Sequence, residues 1–197
     1  MPRHNMLTSA LPSTVMVGGN EFPINTDFRI GIRFDELTRS KSLKDSDKFV
    51  GALILYYGED GIPRDMLEAH NALLKFYMCG KLDEEKKQPQ DKKNAKRVYD
   101  YAHDGQYIYA AFYDQYHIDL TEADLHWWKF RAMFAGLKPE NEIVKIMGYR
   151  ASDTARIKNK DERARVRSLK QLYALPEEAT VEEMQKKAGA MFGAMFG

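Results

Sequence analysis

The chain has 197 residues, 44% hydrophobic and 30% charged, with a formal net charge of +1; it can build a real core, and it has no overall electrostatic pull toward nucleic acid or a membrane surface. Its length fits one domain, or one domain with appendages. No run reaches the ~18 apolar residues of a membrane span, the N-terminus lacks a signal-peptide apolar run, and one cysteine, Cys79, allows no internal disulfide, so a soluble, intracellular protein is expected.

Residues 1–12 are expected to be a flexible N-terminus, and residues 13–80 a hairpin followed by helices. Thr14–Val17, the turn Gly18-Gly-Asn20 and Glu21–Ile24 read as a β-hairpin, since glycines and Asn20 supply the positive φ of a tight turn. Pro23 suits an edge strand, because it cannot donate to a ladder. Phe28 to Phe34 alternates like a strand, yet Phe28, Ile32 and Leu37 also fit a helix capped by Thr26 or Asp27. The helix is favoured because Asp35 to Arg39 continues it, although Gly31 argues against. Asp47–Tyr57 predicts a second helix with Phe49, Leu53, Ile54 and Tyr57 on one face. Gly58–Pro63 is a turn, with Pro63 opening a third helix, Arg64–Met78, that buries Met66 or Leu67, His70 or Asn71, Leu74, and Tyr77 or Met78. Together these form an αα-hairpin.

Residues 81–97 change character, with Glu84-Glu-Lys-Lys-Gln-Pro-Gln-Asp-Lys-Lys-Asn94 and no large apolar residue after Leu82. Such a segment cannot bury enough surface to offset its ordering entropy and reads as a flexible charged linker or long loop. It leaves open whether the halves form one domain or two.

Residues 98–176 predict the larger helical part. Asp104 is placed as the N-cap of a helix over Gly105–Tyr116 carrying Ile108, Ala111, Phe112 and Tyr116. The central stretch runs from Leu120 to Leu137 and holds both tryptophans. Thr121 has the chemistry of an N-cap, with Asp124 three residues on as in a capping box. Apolar residues then run almost all round the helix, leaving Glu122, His126 and Lys129 as a wet stripe, so this helix is central. Gly136 and Pro139 end it. Glu140–Gly148 follows with Ile143, Ile146 and Met147 inward, then the short polar Ser152–Lys160. A last amphipathic helix, Asp161–Ala174, carries the stripe Val166, Leu169, Leu172 and Tyr173. Residues 177–197 read as a flexible tail, with a short helix over Val181–Lys187 and a doubled Ala-Met-Phe-Gly end. The fold class expected is mainly α, about six or seven helices with a short N-terminal β-hairpin.

Catalytic signatures do not emerge. The five histidines lack the i, i+4 spacing of a zinc helix, Cys79 has no cysteine partner, and neither a nucleophile elbow nor a phosphate-binding glycine loop is present. His103-Asp104 resembles the pair of metal-dependent phosphohydrolases, but the dipeptide is weak without further ligands. The expectation is a non-enzyme with no catalytic residue, metal or cofactor. Two segments are candidates for binding. Arg156, Lys158, Lys160, Arg163, Arg167 and Lys170, with Lys145, Arg150 and Arg165 nearby, make a basic patch. It lacks the interleaved aromatics and recognition-helix turn of a nucleic-acid reader, so a solvated face or an acidic protein partner is favoured. Met191, Phe192, Met195 and Phe196 offer an adaptable apolar surface of the kind that binds partners, against the alternative of a frayed end.

The chain resembles the bacteriophage gene-product-fifteen family of phage and prophage tail gene blocks. The resemblance rests on Ile108–Phe112, Tyr116–Leu120 and above all Leu125-His-Trp-Trp-Lys-Phe-Arg-Ala132. Ile146-Met147 with Arg150, Ile157-Lys158, Leu172–Pro176, Thr26-Asp-Phe-Arg29 and Tyr56-Tyr-Gly58 continue it. It implies a tail assembly chaperone that coats the tape-measure protein before the tail tube polymerises, working in the cytoplasm of the bacterial host, with other tail assembly proteins or further copies of itself as added partners. It brings no catalytic residues. The shared residues are expected to be core: Trp127, Trp128 and Phe130 pack, and Arg131 pairs with Asp124. The alternative is a nucleic-acid-binding phage protein using the basic 145–170 segment.

Overall fold

The computed structural model describes residues 5–80 and 97–176. The expectations for the 81–97 linker (all but Arg97), the Val181–Lys187 helix and the Met-Phe repeat fall outside them. Strands β1 (Thr14–Val17) and β2 (Asn20–Pro23) form an antiparallel hairpin pairing Val17 with Asn20 and Thr14 with Pro23. Gly18 and Gly19 both have positive φ, as a two-residue turn that follows the strand twist requires. Seven α-helices follow among the described residues: α1 (Phe28–Arg39), α2 (Asp45–Tyr57), α3 (Met66–Tyr77), α4 (Gly105–Tyr116), α5 (Trp127–Ala135), α6 (Glu142–Ala151) and α7 (Lys160–Leu172). A 3-10 turn, Thr154–Arg156, lies before α7. The fold is mainly α.

The elements pack in a series. The hairpin leans on α3, α3 on α2, α2 on α1, α1 on α5, α5 on α4, α4 on α6 and α6 on α7. One hydrophobic cluster runs through both halves, with aromatic rings at its junction. Phe130 stacks on Phe28 at 4.9 Å and on Phe112 at 5.1 Å, and Trp127 stacks on Tyr77 at 5.2 Å. The strand-or-helix ambiguity at Phe28–Phe34 resolves as helix, and Gly31 is explained by packing. A Cβ there would stand 2.2 Å from the Trp127 ring, so only glycine lets α1 and α5 approach.

Several expected faces differ. In α3 the buried residues are Ala69, Leu73 and Phe76, while Met66 and Leu67 are exposed. In α2 they are Ala52, Leu53, Tyr56 and Tyr57, and Ile54 is exposed. Both inward stripes include an alanine, a small residue that lets neighbouring helices approach closely, so counting only large residues rotates the face. Pro63 is buried within the turn, and Asp65 caps α3 by accepting from the Glu68 amide at 2.9 Å.

The central helix also starts later than expected. Thr121 does not cap it; its hydroxyl and amide both donate to the Asp119 carboxylate in a turn. Asp124 lies outside α5, so Arg131 is not one heptad along the same helix and its guanidinium stands over the Trp127 ring at 5.4 Å. Backbone pairing decides where the helix begins, because residues 125–127 are held extended against residues 26–28.

Candidate functional site

The residues that carry the family resemblance in the two halves meet in one knot. Asp27 and His126 form an antiparallel bridge, with the Phe28 amide donating to the Leu125 carbonyl (2.9 Å) and the Trp127 amide to the Thr26 carbonyl (2.7 Å). Each bridging residue is also an N-cap. Asp27 accepts from the Arg29 amide at 2.7 Å, and His126 Nδ1 from the Trp128 amide at 3.0 Å, so α1 and α5 start back to back by the same device. With Nδ1 accepting, Nε2 carries the proton and donates to the Pro12 carbonyl at 3.0 Å. His126 is therefore half-buried, and the wet position expected for it is corrected.

Arg29 gathers the loop ahead of α5. Its guanidinium donates to the carbonyls of Leu120 (2.7 Å), Thr121 (3.0 Å) and Ala123 (3.0 Å), and to the Asp27 carboxylate. One planar cation thus supplies the donors that three loop carbonyls lack. The two indoles do the reciprocal work at the end of α3. Trp127 Nε1 donates to the Tyr77 carbonyl (2.9 Å) and Trp128 Nε1 to the Phe76 carbonyl (2.8 Å). The last carbonyls of a helix have no partner within it, so the tryptophans close that end while filling the core. Trp127, Trp128 and Phe130 are buried, as expected of the shared motif.

Asp104 sits at the N-cap position of α4, but its carboxylate does not cap. It is fully buried and holds the Arg150 guanidinium at 2.6 and 2.9 Å. Arg150 also donates to the carbonyls of Val98 and Tyr173. It leaves the basic patch, because a buried charge must be paired. A second buried carboxylate, Asp35, binds Arg39 and the Tyr77 hydroxyl; burial and that carboxylate push the Tyr77 hydroxyl well above the ordinary phenol range. Among the described residues no three His, Cys, Asp or Glu side chains gather as a metal-ligand set.

The polar groups of the knot and of both buried carboxylates are spent on the chain itself. Surface available to a partner lies elsewhere. Lys158, Lys160, Arg165 and Arg167 are exposed. Arg156 pairs with Asp153, Lys145 with Glu142, and Lys170 with the Ser152 carbonyl. On α7, at about 100° per residue, Lys160, Arg163, Arg167 and Lys170 fall on one flank of the Val166–Leu169–Tyr173 stripe. No residue of α7 is fully buried, and Leu172 is 72% exposed.

The sequence reading missed a second surface. Val50 and Ile54 on α2 and Met66 and Leu67 on α3 turn outward, Leu67 by 68%. The spacing of Leu67, Asn71 and Leu74 reads as a buried stripe, but only Leu74 packs against the core while Leu67 and Asn71 are exposed. An open cleft of about 560 Å³ lies between the end of α1 and residues 97–103, lined by Glu36, Arg39, Lys41, Arg97, Asp100 and His103 among others. Within it Arg97 is paired with Asp100, and Arg39 with Asp35. No helix among the described residues is long and apolar enough to cross a membrane. The expected partner residues Met191, Phe192, Met195 and Phe196 lie outside the described residues.

The family model described as "Bacteriophage Gp15 protein" matches residues 7–175. No curated protein and no solved structure matches the chain.

Proposed function

We propose that this chain, which belongs to the bacteriophage Gp15 protein family, is a non-enzymatic phage tail assembly factor, a chaperone that holds the tape-measure protein in the host cytoplasm until the tail tube polymerises. The family match, covering both the Thr26–Arg29 and the Leu125–Trp128 motifs, carries the reading; the place of such proteins in tail gene blocks supplies the role. The surfaces agree with it. A tape measure is a long helical chain with apolar stripes, and a chaperone for it needs adaptable apolar contacts. The outward Val50, Ile54, Met66 and Leu67 on two neighbouring helices provide apolar surface of that kind, and Met191, Phe192, Met195 and Phe196 add further apolar side chains in the sequence.

The test is co-expression with a tape-measure protein of the same phage. The tape measure is expected to stay soluble and to co-purify with several copies of this chain. Removing residues 189–197 is expected to weaken that complex while leaving the circular dichroism spectrum unchanged. A tape measure that precipitates equally with and without this chain sinks the assignment. Sequence-specific duplex DNA binding through the basic 145–170 segment that persists at physiological salt moves the reading to a nucleic-acid-binding protein instead.

A further inference from the structure

We propose that copies of this chain join head to tail, with the outer α2–α3 face of one copy taking α7 of the next. Three observations point there. First, each face carries apolar surface that the described residues leave exposed. Val50, Ile54, Met66 and Leu67 are exposed on one, and α7 on the other buries no residue fully and leaves Leu172 72% exposed. Second, their charges are opposite. Residues 43–68 hold six acidic side chains against three basic ones, with Asp47 beside Val50 and Ile54, and with Glu59, Asp60 and Asp65 in the turn that leads to Met66. α7 itself holds five basic side chains against Asp161 and Glu162; Arg165 lies beside Leu172 on the helix surface, and Lys160, Arg163, Arg167 and Lys170 lie on the opposite flank. Complementary potentials of this kind steer encounter and fix register.

Third, the two faces belong to opposite ends of the packing series. α3 and α2 are separated from α7 by α1, α5, α4 and α6, and the main contacts of α7 are with α6 and the 3-10 turn. One copy therefore presents both an acidic apolar face and a basic helix at separate places in the series, and in the proposed contact the mate for each is on another copy. An interface between two different faces is heterologous: it closes into a ring or grows as an open chain, and it does not stop at a symmetric dimer. The proposal does not depend on the tail assembly role, because it concerns the chain alone.

The experiment is sedimentation velocity on the full chain over a concentration series at low and high salt, with Leu67→Arg, Leu172→Glu and an equimolar mixture of the two. Both substitutions are at exposed positions, and circular dichroism checks that each variant keeps the wild-type fold; Val50→Arg or Arg165→Glu replaces either one that does not. The wild type is expected to grow beyond dimer with concentration, and more weakly at high salt. Each variant alone is expected to lose association by about tenfold or more in Kd. The mixture is expected to form a complex with one copy of each variant and stop there, since Leu67→Arg retains an intact α7 and Leu172→Glu an intact α2–α3 face. A wild type that stays monomeric throughout overturns the proposal. So does a variant that still associates like the wild type, or a mixture that stays monomeric. The tape-measure co-expression assay reads neither result, so the two proposals fail separately.

Discussion

α5 and α7 show how differently two helices of one small protein can be held. α5 has nine residues, and Trp127, Trp128 and Phe130 among them are buried. Its start is fixed by two backbone bonds to residues 26–28 and by a histidine cap, and its indoles donate to the end of α3. α7 has thirteen residues and buries none of them fully. It is held by α6, by the Asn159 cap and by the Arg150 bond to the Tyr173 carbonyl. The strongly amphipathic helix is thus the peripheral one, and the helix apolar nearly all round is the central one. Amphipathic contrast marks a helix with one dry side; it does not measure how dry that side is.

The comparison breaks first at Trp127. Trp127→Ala is expected to cost about 3–5 kcal/mol in urea unfolding, through the cavity left and the Tyr77 carbonyl stripped of its donor. A neutral result places the indole outside the core and ends the contrast. Gly31→Ala tests the same contact from the other helix. The added methyl meets the Trp127 ring, and overpacking of about 1–3 kcal/mol is expected, readable in the same titration.

Acid sharpens the comparison within the N-terminal half. His70 stacks on Phe49 at 4.8 Å, and burial lowers its pKa below the ordinary 6.5. The folded chain keeps it neutral while the unfolded chain takes up a proton. This contribution to stability is therefore complete above pH 6.5 and is lost as the pH falls from there to the lowered folded value. Unfolding midpoints measured across that window are expected to slope for the wild type, and to slope less for His70→Gln. At α7 the expected effect on the monomer is smallest. Leu172→Ala should change unfolding free energy by no more than about 0.5 kcal/mol, as for other exposed positions.

Much of this architecture was legible in the residues. The hairpin turn, the helix count and the burial of the tryptophan pair follow from glycine placement and apolar period. Helix starts were harder. Thr121 has the right side chain for a cap, but the choice between Thr121 and His126 is made by a strand-like bridge to residues almost a hundred positions away, which no local pattern contains. Arg150 reads as one more surface cation because its partner, Asp104, is 46 residues distant. The outward face of α2–α3 was hidden because Ala52 and Ala69 hold the inward positions that larger neighbours seemed to claim. In each case the deciding interaction was long-range, or was made by a residue too small to stand out.

The closure of α3 by the two indoles has a consequence for synthesis. The donors lie 50 and 52 residues downstream of the carbonyls they close. At the roughly 5–20 residues per second of a ribosome, α3 is made about 3–10 s before its seal exists. The bridge and the Arg29 bonds, which join segments 91 to 94 positions apart in the case of Arg29, form no earlier. The N-terminal half therefore leaves the ribosome with Phe28 lacking Phe130, Phe76 lacking Trp128 and Tyr77 lacking Trp127, while Phe76 already has Tyr56 and Tyr77 has Phe34 beside it. Completion of the fold is expected to wait for the emergence of Trp127 and Trp128, and a nascent chain stalled short of them is expected to remain sensitive to protease.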